Sequence, residues 1–146
     1  MKATYRVLAG LVAIGVVLQA MFIAWGFFTV DKDVDNGAVI AKNSTPESTG
    51  LSLHGTMGMM IIPLVALLLL IVSFFAKVDH GIRWALYVVG LVALQITLAL
   101  VSFGAPVVGL LHGLNAFALA AVASLASRRA SRAPAAAAAA ETTTTV

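Results

Sequence analysis

Four long apolar runs constrain the fold of this chain more than any other feature of its sequence. They lie at residues 7–30, 55–76, 84–103 and 106–126, and none of them contains Asp, Glu, Lys or Arg. The hydrocarbon layer of a bilayer is about 30 Å thick and requires roughly 20 apolar residues per helix. Only 10% of all residues are charged, whereas soluble proteins have about a quarter. The sequence therefore predicts an all-α, multi-pass integral membrane protein.

The apolar runs are continuous rather than alternating, which excludes a transmembrane β-barrel. The first run could also be read as a cleaved signal peptide, because Lys2 and Arg6 precede it and Ala24-Trp25-Gly26 is a small-x-small site. Its apolar stretch exceeds the usual length of about 7–15 residues, so a retained helix is favoured. The absence of cysteine excludes disulfides and thiolate metal ligands.

Basic residues near span ends predict the orientation, since Lys and Arg accumulate on the cytoplasmic side. The loop at 31–52 carries Asp31, Asp33, Asp35 and Glu47 against Lys32 and Lys42 and is expected outside. Both termini are therefore predicted to be cytoplasmic, and the net charge of +3 reflects membrane anchors rather than nucleic-acid binding. The cytoplasmic basic residues are Lys2, Arg6, Lys77, Arg83, Arg128, Arg129 and Arg132.

Short connections between the spans predict an up-down-up-down four-helix bundle over residues 1–127. The second helix has an alternative start near 46, because Thr45-Pro46-Glu47 combines an N-cap residue with proline and an acidic first turn. Residues 128–146 are rich in Ala and Thr and are predicted to be a disordered tail. Glycine and alanine faces also allow a homodimer or a larger membrane complex.

The tripeptide Leu-His-Gly occurs twice, at Leu53-His54-Gly55 and Leu111-His112-Gly113. An ionisable side chain inside a membrane is costly and by default indicates a functional site. If the helices start at Pro46 and Pro106, the two histidines lie about 12 Å and 9 Å along them. This predicts that His54 and His112 hold one metal. A haem iron takes its other four ligands from the porphyrin, whereas a four-coordinate zinc site would be incomplete with two histidines. The alternative is that each histidine bonds another helix.

The chain also predicts an internal repeat of two helical hairpins, aligned on the histidines. Gly10-Leu11-Val12-Ala13 precedes Gln19, and Gly90-Leu91-Val92-Ala93 precedes Gln95. Each hairpin thus carries a glutamine on its first helix and a histidine on its second. The glutamines either form inter-helix hydrogen bonds or contact a haem edge or a quinone.

Small and amide residues beside the histidines extend the predicted site. Gly55 and Gly113 would let a flat macrocycle approach the helix backbone, or they serve helix packing, as in Gly109-x-x-x-Gly113. Asn115 follows His112 by one turn and would lie near whatever that histidine holds.

Copper is a minor alternative cofactor. Met57, Met59 and Met60 follow His54, and thioethers suit Cu(I), but methionine in apolar helices is usually packing material. Pro63 is predicted to kink the second helix, and His80 to lie in a solvated turn.

Four helices with histidines on the second and fourth resemble one half of haem A synthase, bis-histidine membrane cytochrome b bundles and small four-span bacterial membrane proteins. The resemblance covers residues 1 to about 127 and implies haem b between His54 and His112, serving electron transfer or haem handling. Haem A synthase halves carry an acidic residue about one turn before a ligand histidine, where this chain has Leu51 and Gly109. The resemblance therefore does not extend to oxygenase activity.

No catalytic carboxylate or nucleophile constellation occurs in the sequence, so an enzyme is not favoured. The outer side offers only Lys32 and Lys42 for haem propionates. The alternative function is a cofactor-free structural or accessory membrane subunit. In that interpretation the histidines, glutamines and Asn115 form a buried polar seam between helices.

Overall fold

The described part of the chain consists of helices and the turns that join them. A computed structural model of the protein describes residues 1–41 and 48–131, and within these ranges no strand occurs. All four helices are long and apolar enough to cross a membrane, as predicted. They are α1 (Lys2–Asp35), α2 (Thr49–Ser73), α3 (Gly81–Ser102) and α4 (Pro106–Ser131).

The helices form a closed ring in chain order. α1 packs against α2 and α4, and α3 packs against the same two neighbours. Residues late in α1 meet residues early in α2, as Gly26 meets Gly50. The Ser127 hydroxyl late in α4 donates to the Arg6 carbonyl early in α1, at 3.0 Å. Successive helices therefore run antiparallel, and α2 lies opposite α4 in an up-down-up-down bundle.

The buried core occupies only one half of this bundle. We call the end with the turn at 74–80 the basic end and the end with the turn at 103–105 the loop end. Towards the basic end, small residues let the helices approach closely, and the fully buried Tyr5 donates its hydroxyl to the Gly81 carbonyl at 2.9 Å. Other buried side chains there are Ala9, Val12, Ile62, Ala66, Leu69, Ala85, Val88, Leu119, Ala123 and Ala126.

The half next to the loop end is packed differently. In residues 16–41, 48–61 and 93–114 the only buried positions are Gly26 and Gly50. A Cβ atom added to Gly50 would overlap the Gly26 backbone nitrogen. The α1–α2 crossing is thus a backbone-to-backbone contact that only glycine permits. Around it, side chains are at most partly buried.

α2 begins at Thr49, between the two predicted starts at 46 and 55. The start signal Thr45-Pro46-Glu47 lies outside the described residues. Gly50 is buried in the crossing with α1, so it belongs to the first turn of the helix rather than to the loop before it.

A π-helical turn, Met57–Ile61, interrupts α2 just before Pro63. In a regular α-helix the proline ring would clash with the carbonyl four residues earlier, and a wider turn relieves that crowding. The predicted kink at Pro63 stays a prediction, whereas the π-turn between the proline and His54 was not predicted. Such turns frequently occur at functional sites.

α4 continues through Ser131, beyond the predicted end of the bundle at residue 127. Its last turns remain packed, because Ala126 is buried and the Arg129 guanidinium lies over the Trp84 ring, 4.7 Å from its centroid. The first four residues assigned to the tail are thus helical. The prediction for residues 132–146 lies outside the described residues.

Candidate functional site

His54 and His112 come together across the bundle. Their ring centroids are 6.3 Å apart, with an angle of 63° between the ring planes. His54 lies on α2 and His112 on α4, which are opposite helices of the ring. Both side chains are half-buried, in the half of the bundle next to the loop end. The residues that the sequence singled out are therefore spatial neighbours, although 57 positions separate them along the chain.

Each histidine is held by the same contact from the neighbouring helix. His54 Nδ1 lies 3.1 Å from the Gln19 backbone carbonyl, and His112 Nδ1 lies 3.1 Å from the Gln95 backbone carbonyl. A carbonyl oxygen can only accept, so Nδ1 carries the hydrogen in both rings. Nε2 of each neutral imidazole therefore holds the lone pair. A metal-binding histidine is commonly oriented in this way.

The Gln95 side chain closes a polar network around His112. Its amide nitrogen donates to His112 Nε2 and to the His112 carbonyl, each at 3.1 Å. The Asn115 amide nitrogen donates to Gln95 Oε1 at 2.6 Å and to the Leu91 carbonyl at 3.0 Å. Because Asn115 is 93% buried, these bonds keep its amide from being unpaired inside the bundle.

The equivalent network is missing around His54. Gln19 Nε2 is buried and has no hydrogen-bond partner among the described residues. Met57 stands three positions after His54, where Asn115 stands after His112. The Gln19 amide lies instead against Gly58, whose added Cβ would be 3.3 Å from Gln19 Oε1. A buried, unpaired amide is unusual and marks this side of the site as incomplete.

Gly55 and Gly113 do not lie at close helix contacts. Both are exposed, and a Cβ added to either would meet no atom within 4 Å. Packing is therefore not what these two glycines provide. Sequence analysis did not predict the close contact of Gly26 and Gly50 at the helix crossing, and it assigned Gly58, which lies beside Gln19, to helix packing together with Gly55. The spacing of Gly58, four residues after His54, was the available signal.

A metal site made of protein ligands alone is not formed by the described residues. They contain no group of three His, Cys, Asp or Glu side chains that could hold an ion. Met59 and Met60 are 51% and 68% exposed, and only Met57 lies partly buried near the level of His54. The methionines therefore do not assemble around the histidine pair.

The histidine pair does suit a metal that brings its own additional ligands. Two imidazoles that share one metal ion at N–metal distances of about 2.0–2.1 Å place their ring centres about 6 Å apart. The observed separation of the two centroids is 6.3 Å. Both rings have the Nδ1–H tautomer that leaves Nε2 for a ligand bond. The donor set fits a haem iron with two histidine ligands.

An apolar groove of about 670 Å³ adjoins the polar network on the outside of α3 and α4. Asn115 is the one polar side chain in its lining, and both hydrogens of its amide are used within the bundle. The groove is otherwise lined by Leu94, Leu98, Leu111, Leu114, Phe117 and Ala118.

Comparisons with protein-family models, with curated proteins and with solved structures give no match to this chain.

His80 lies far from the histidine pair, in the turn at the basic end. Its side chain is 54% exposed, and Nε2 is 3.6 Å from the Asp79 carboxylate. The predicted solvated position for His80 agrees with this exposure. It is the natural control residue for experiments on the other two histidines.

Proposed function

We propose that this chain is a multi-pass bacterial inner-membrane protein that binds haem b between His54 and His112, for electron transfer or haem handling. The observation that supports this most is the matched orientation of the two rings. Each donates Nδ1–H to a glutamine carbonyl, and the ring centroids are 6.3 Å apart. A hydrogen bond on the far nitrogen fixes ring orientation and raises the basicity of the ligand nitrogen.

The chain's own contribution is orientation and exclusion of water. When bound, haem would supply four ring nitrogens and a one-electron redox centre. The Gln19 and Gln95 carbonyls hold the imidazoles, and in the proposed topology the apolar helices would keep water from the site. No nucleophile or carboxylate adjoins the pair in the described residues, so the proposal includes no catalysed reaction.

In the proposed topology both termini are cytoplasmic. The basic end carries Lys2, Arg6, Lys77 and Arg83, whereas Asp31, Asp33 and Asp35 lie at the other end of α1. Lys and Arg near span ends favour the cytoplasmic side. The histidine pair would then lie in the outer half of the membrane. The two helix pairs, α1–α2 and α3–α4, represent the two hairpin repeats.

The visible spectrum of the purified protein tests the haem proposal. Protein prepared in mild detergent from haem-sufficient cells should show a Soret band, with sharp α and β bands after dithionite. His54→Ala and His112→Ala should both lose the sharp bands, because each removes one axial ligand. His80→Ala should keep them. A wild-type protein that stays colourless after haem addition contradicts the proposal.

A cofactor-free structural or accessory subunit is the second candidate function. It is favoured by the network of Gln95, His112 and Asn115, whose bonds are all made within the protein. Such networks fix the register of membrane helices. Under this alternative the protein is colourless, and His112→Ala lowers only stability or assembly with a partner, which can be a second copy or another membrane protein.

A further inference from the structure

The two histidines are equivalent at Nδ1 and different at Nε2. His112 Nε2 accepts a hydrogen bond from the Gln95 amide at 3.1 Å. In the described part of the chain, no residue donates to His54 Nε2, and the amide of the matching Gln19 is unpaired. Without a bound metal, the lone pair of His112 Nε2 is therefore occupied by a hydrogen bond, whereas that of His54 Nε2 is open among the described residues.

The cause is the residue that follows each histidine by three positions. Asn115 donates to Gln95 Oε1 at 2.6 Å, which turns the amide nitrogen of Gln95 towards His112. At the matching position, the thioether of Met57 cannot donate. The Gln19 amide nitrogen consequently has no hydrogen-bond partner, and its side chain lies against Gly58.

A lone pair that accepts a hydrogen bond cannot bind a metal at the same time. Ligation by His112 requires the Gln95 amide to move away and lose its acceptor, whereas ligation by His54 requires no such loss. A net hydrogen bond of this kind corresponds to about a 2- to 10-fold difference in a binding constant.

We propose that the two axial ligands are unequal, with His54 anchoring the haem and His112 giving way to a small neutral ligand such as carbon monoxide. This inference rests on the proposed function. A His112 ring that is not bound to the metal would keep the Gln95 hydrogen bond at its Nε2. The polar network thus favours the open form, and the second coordination position becomes exchangeable.

Haem retention in two single variants tests the inequality. His112→Ala should keep most of its haem as a five-coordinate species that binds carbon monoxide more tightly than the wild type. His54→Ala should keep several-fold less haem. Equal loss in both variants, or better retention in His54→Ala, would overturn the inference while leaving the haem proposal intact. A wild-type protein without haem would instead defeat the proposed function.

A second variant tests the part played by position 57 without removing a ligand. Met57→Asn supplies Gln19 with the donor that Asn115 supplies to Gln95, so the Gln19 amide should turn to His54. Haem affinity in a titration of the haem-free protein should then fall about 2- to 10-fold relative to the size-matched control Met57→Leu. Circular dichroism checks that both variants fold. Equal affinities in two folded variants would count against the inference.

Discussion

At the scale of single residues, the environment of each histidine is decided by its neighbours rather than by its own identity. His54 and His112 make the same Nδ1 contact with a glutamine carbonyl. Their Nε2 atoms differ because Asn115 can donate a hydrogen bond and Met57 cannot. The backbone carbonyls of both glutamines therefore orient the imidazole rings. Only the Gln95 side chain also donates a hydrogen bond to a ring, at His112 Nε2.

The two glutamines should respond oppositely to substitution in the haem-free protein. Gln19→Leu removes an unpaired buried amide and should leave stability unchanged or raise it by about 1–2 kcal/mol. Gln95→Leu leaves Asn115 and His112 without their partner and should lower stability by about 1–2 kcal/mol. Both changes keep the backbone contacts to the histidines.

The measurement for this pair is reversible unfolding of the detergent-solubilised protein, followed by circular dichroism. Equal destabilisation by the two leucine variants would show that the Gln19 amide has a hydrogen-bond partner in the membrane protein. It would then remove the basis for unequal ligation by His54 and His112.

At the scale of elements, the glycines fall into two groups that differ in whether they lie at a helix contact. Gly26 and Gly50 bring the backbones of α1 and α2 into contact, and the resulting crossing positions the first turns of α2 ahead of His54. Gly55 and Gly113 face open space outside the close contacts. The π-turn Met57–Ile61 changes the rotation of the rest of α2 about its axis relative to His54.

Alanine substitutions should separate these two kinds of glycine. Gly50→Ala places a methyl group against the Gly26 backbone, which no side-chain rotation relieves, and should destabilise the protein by about 1–3 kcal/mol. Gly55→Ala adds a methyl group in open space and should be neutral or stabilise α2 by about 0.5–1 kcal/mol.

Thermal unfolding of the two glycine variants under identical detergent conditions provides the comparison. A Gly50→Ala protein as stable as the wild type would mean that the backbones of α1 and α2 are not in contact at Gly26 and Gly50.

At the scale of the whole molecule, packing density is unequal along the bundle axis. Buried side chains such as Tyr5, Leu69 and Leu119 fill the half near the basic end. The half with the histidine pair contains no buried side chain within residues 16–41, 48–61 and 93–114. The half of the bundle with the histidine pair is therefore the more loosely packed half.

Single-cysteine labelling should establish the proposed topology, because the chain has no cysteine of its own. Val39→Cys introduces a thiol at a position that is 90% exposed beyond the loop end of α1. A membrane-impermeant maleimide should label it on intact bacterial cells. Asp79→Cys, at an exposed side chain in the basic-end turn, should be labelled only after permeabilisation. The reverse pattern would invert the topology.

The amino-acid sequence is sufficient to predict the four helices and their antiparallel order, because hydrophobic length and short connections are local properties. It also identified His54, His112, Gln19, Gln95 and Asn115, since polar side chains stand out in apolar runs. The roles of these residues depend on more than the local sequence.

Which atoms meet depends on how the helices pack against one another. The contact between each histidine and a glutamine backbone carbonyl, the unpaired Gln19 amide and the crossing of Gly26 with Gly50 depend on how each helix is rotated about its axis. That rotation is set by small residues packing between helices that are distant in sequence. The residue pattern of one helix does not specify which atoms of a neighbouring helix it contacts, so these contacts could not be predicted from the sequence.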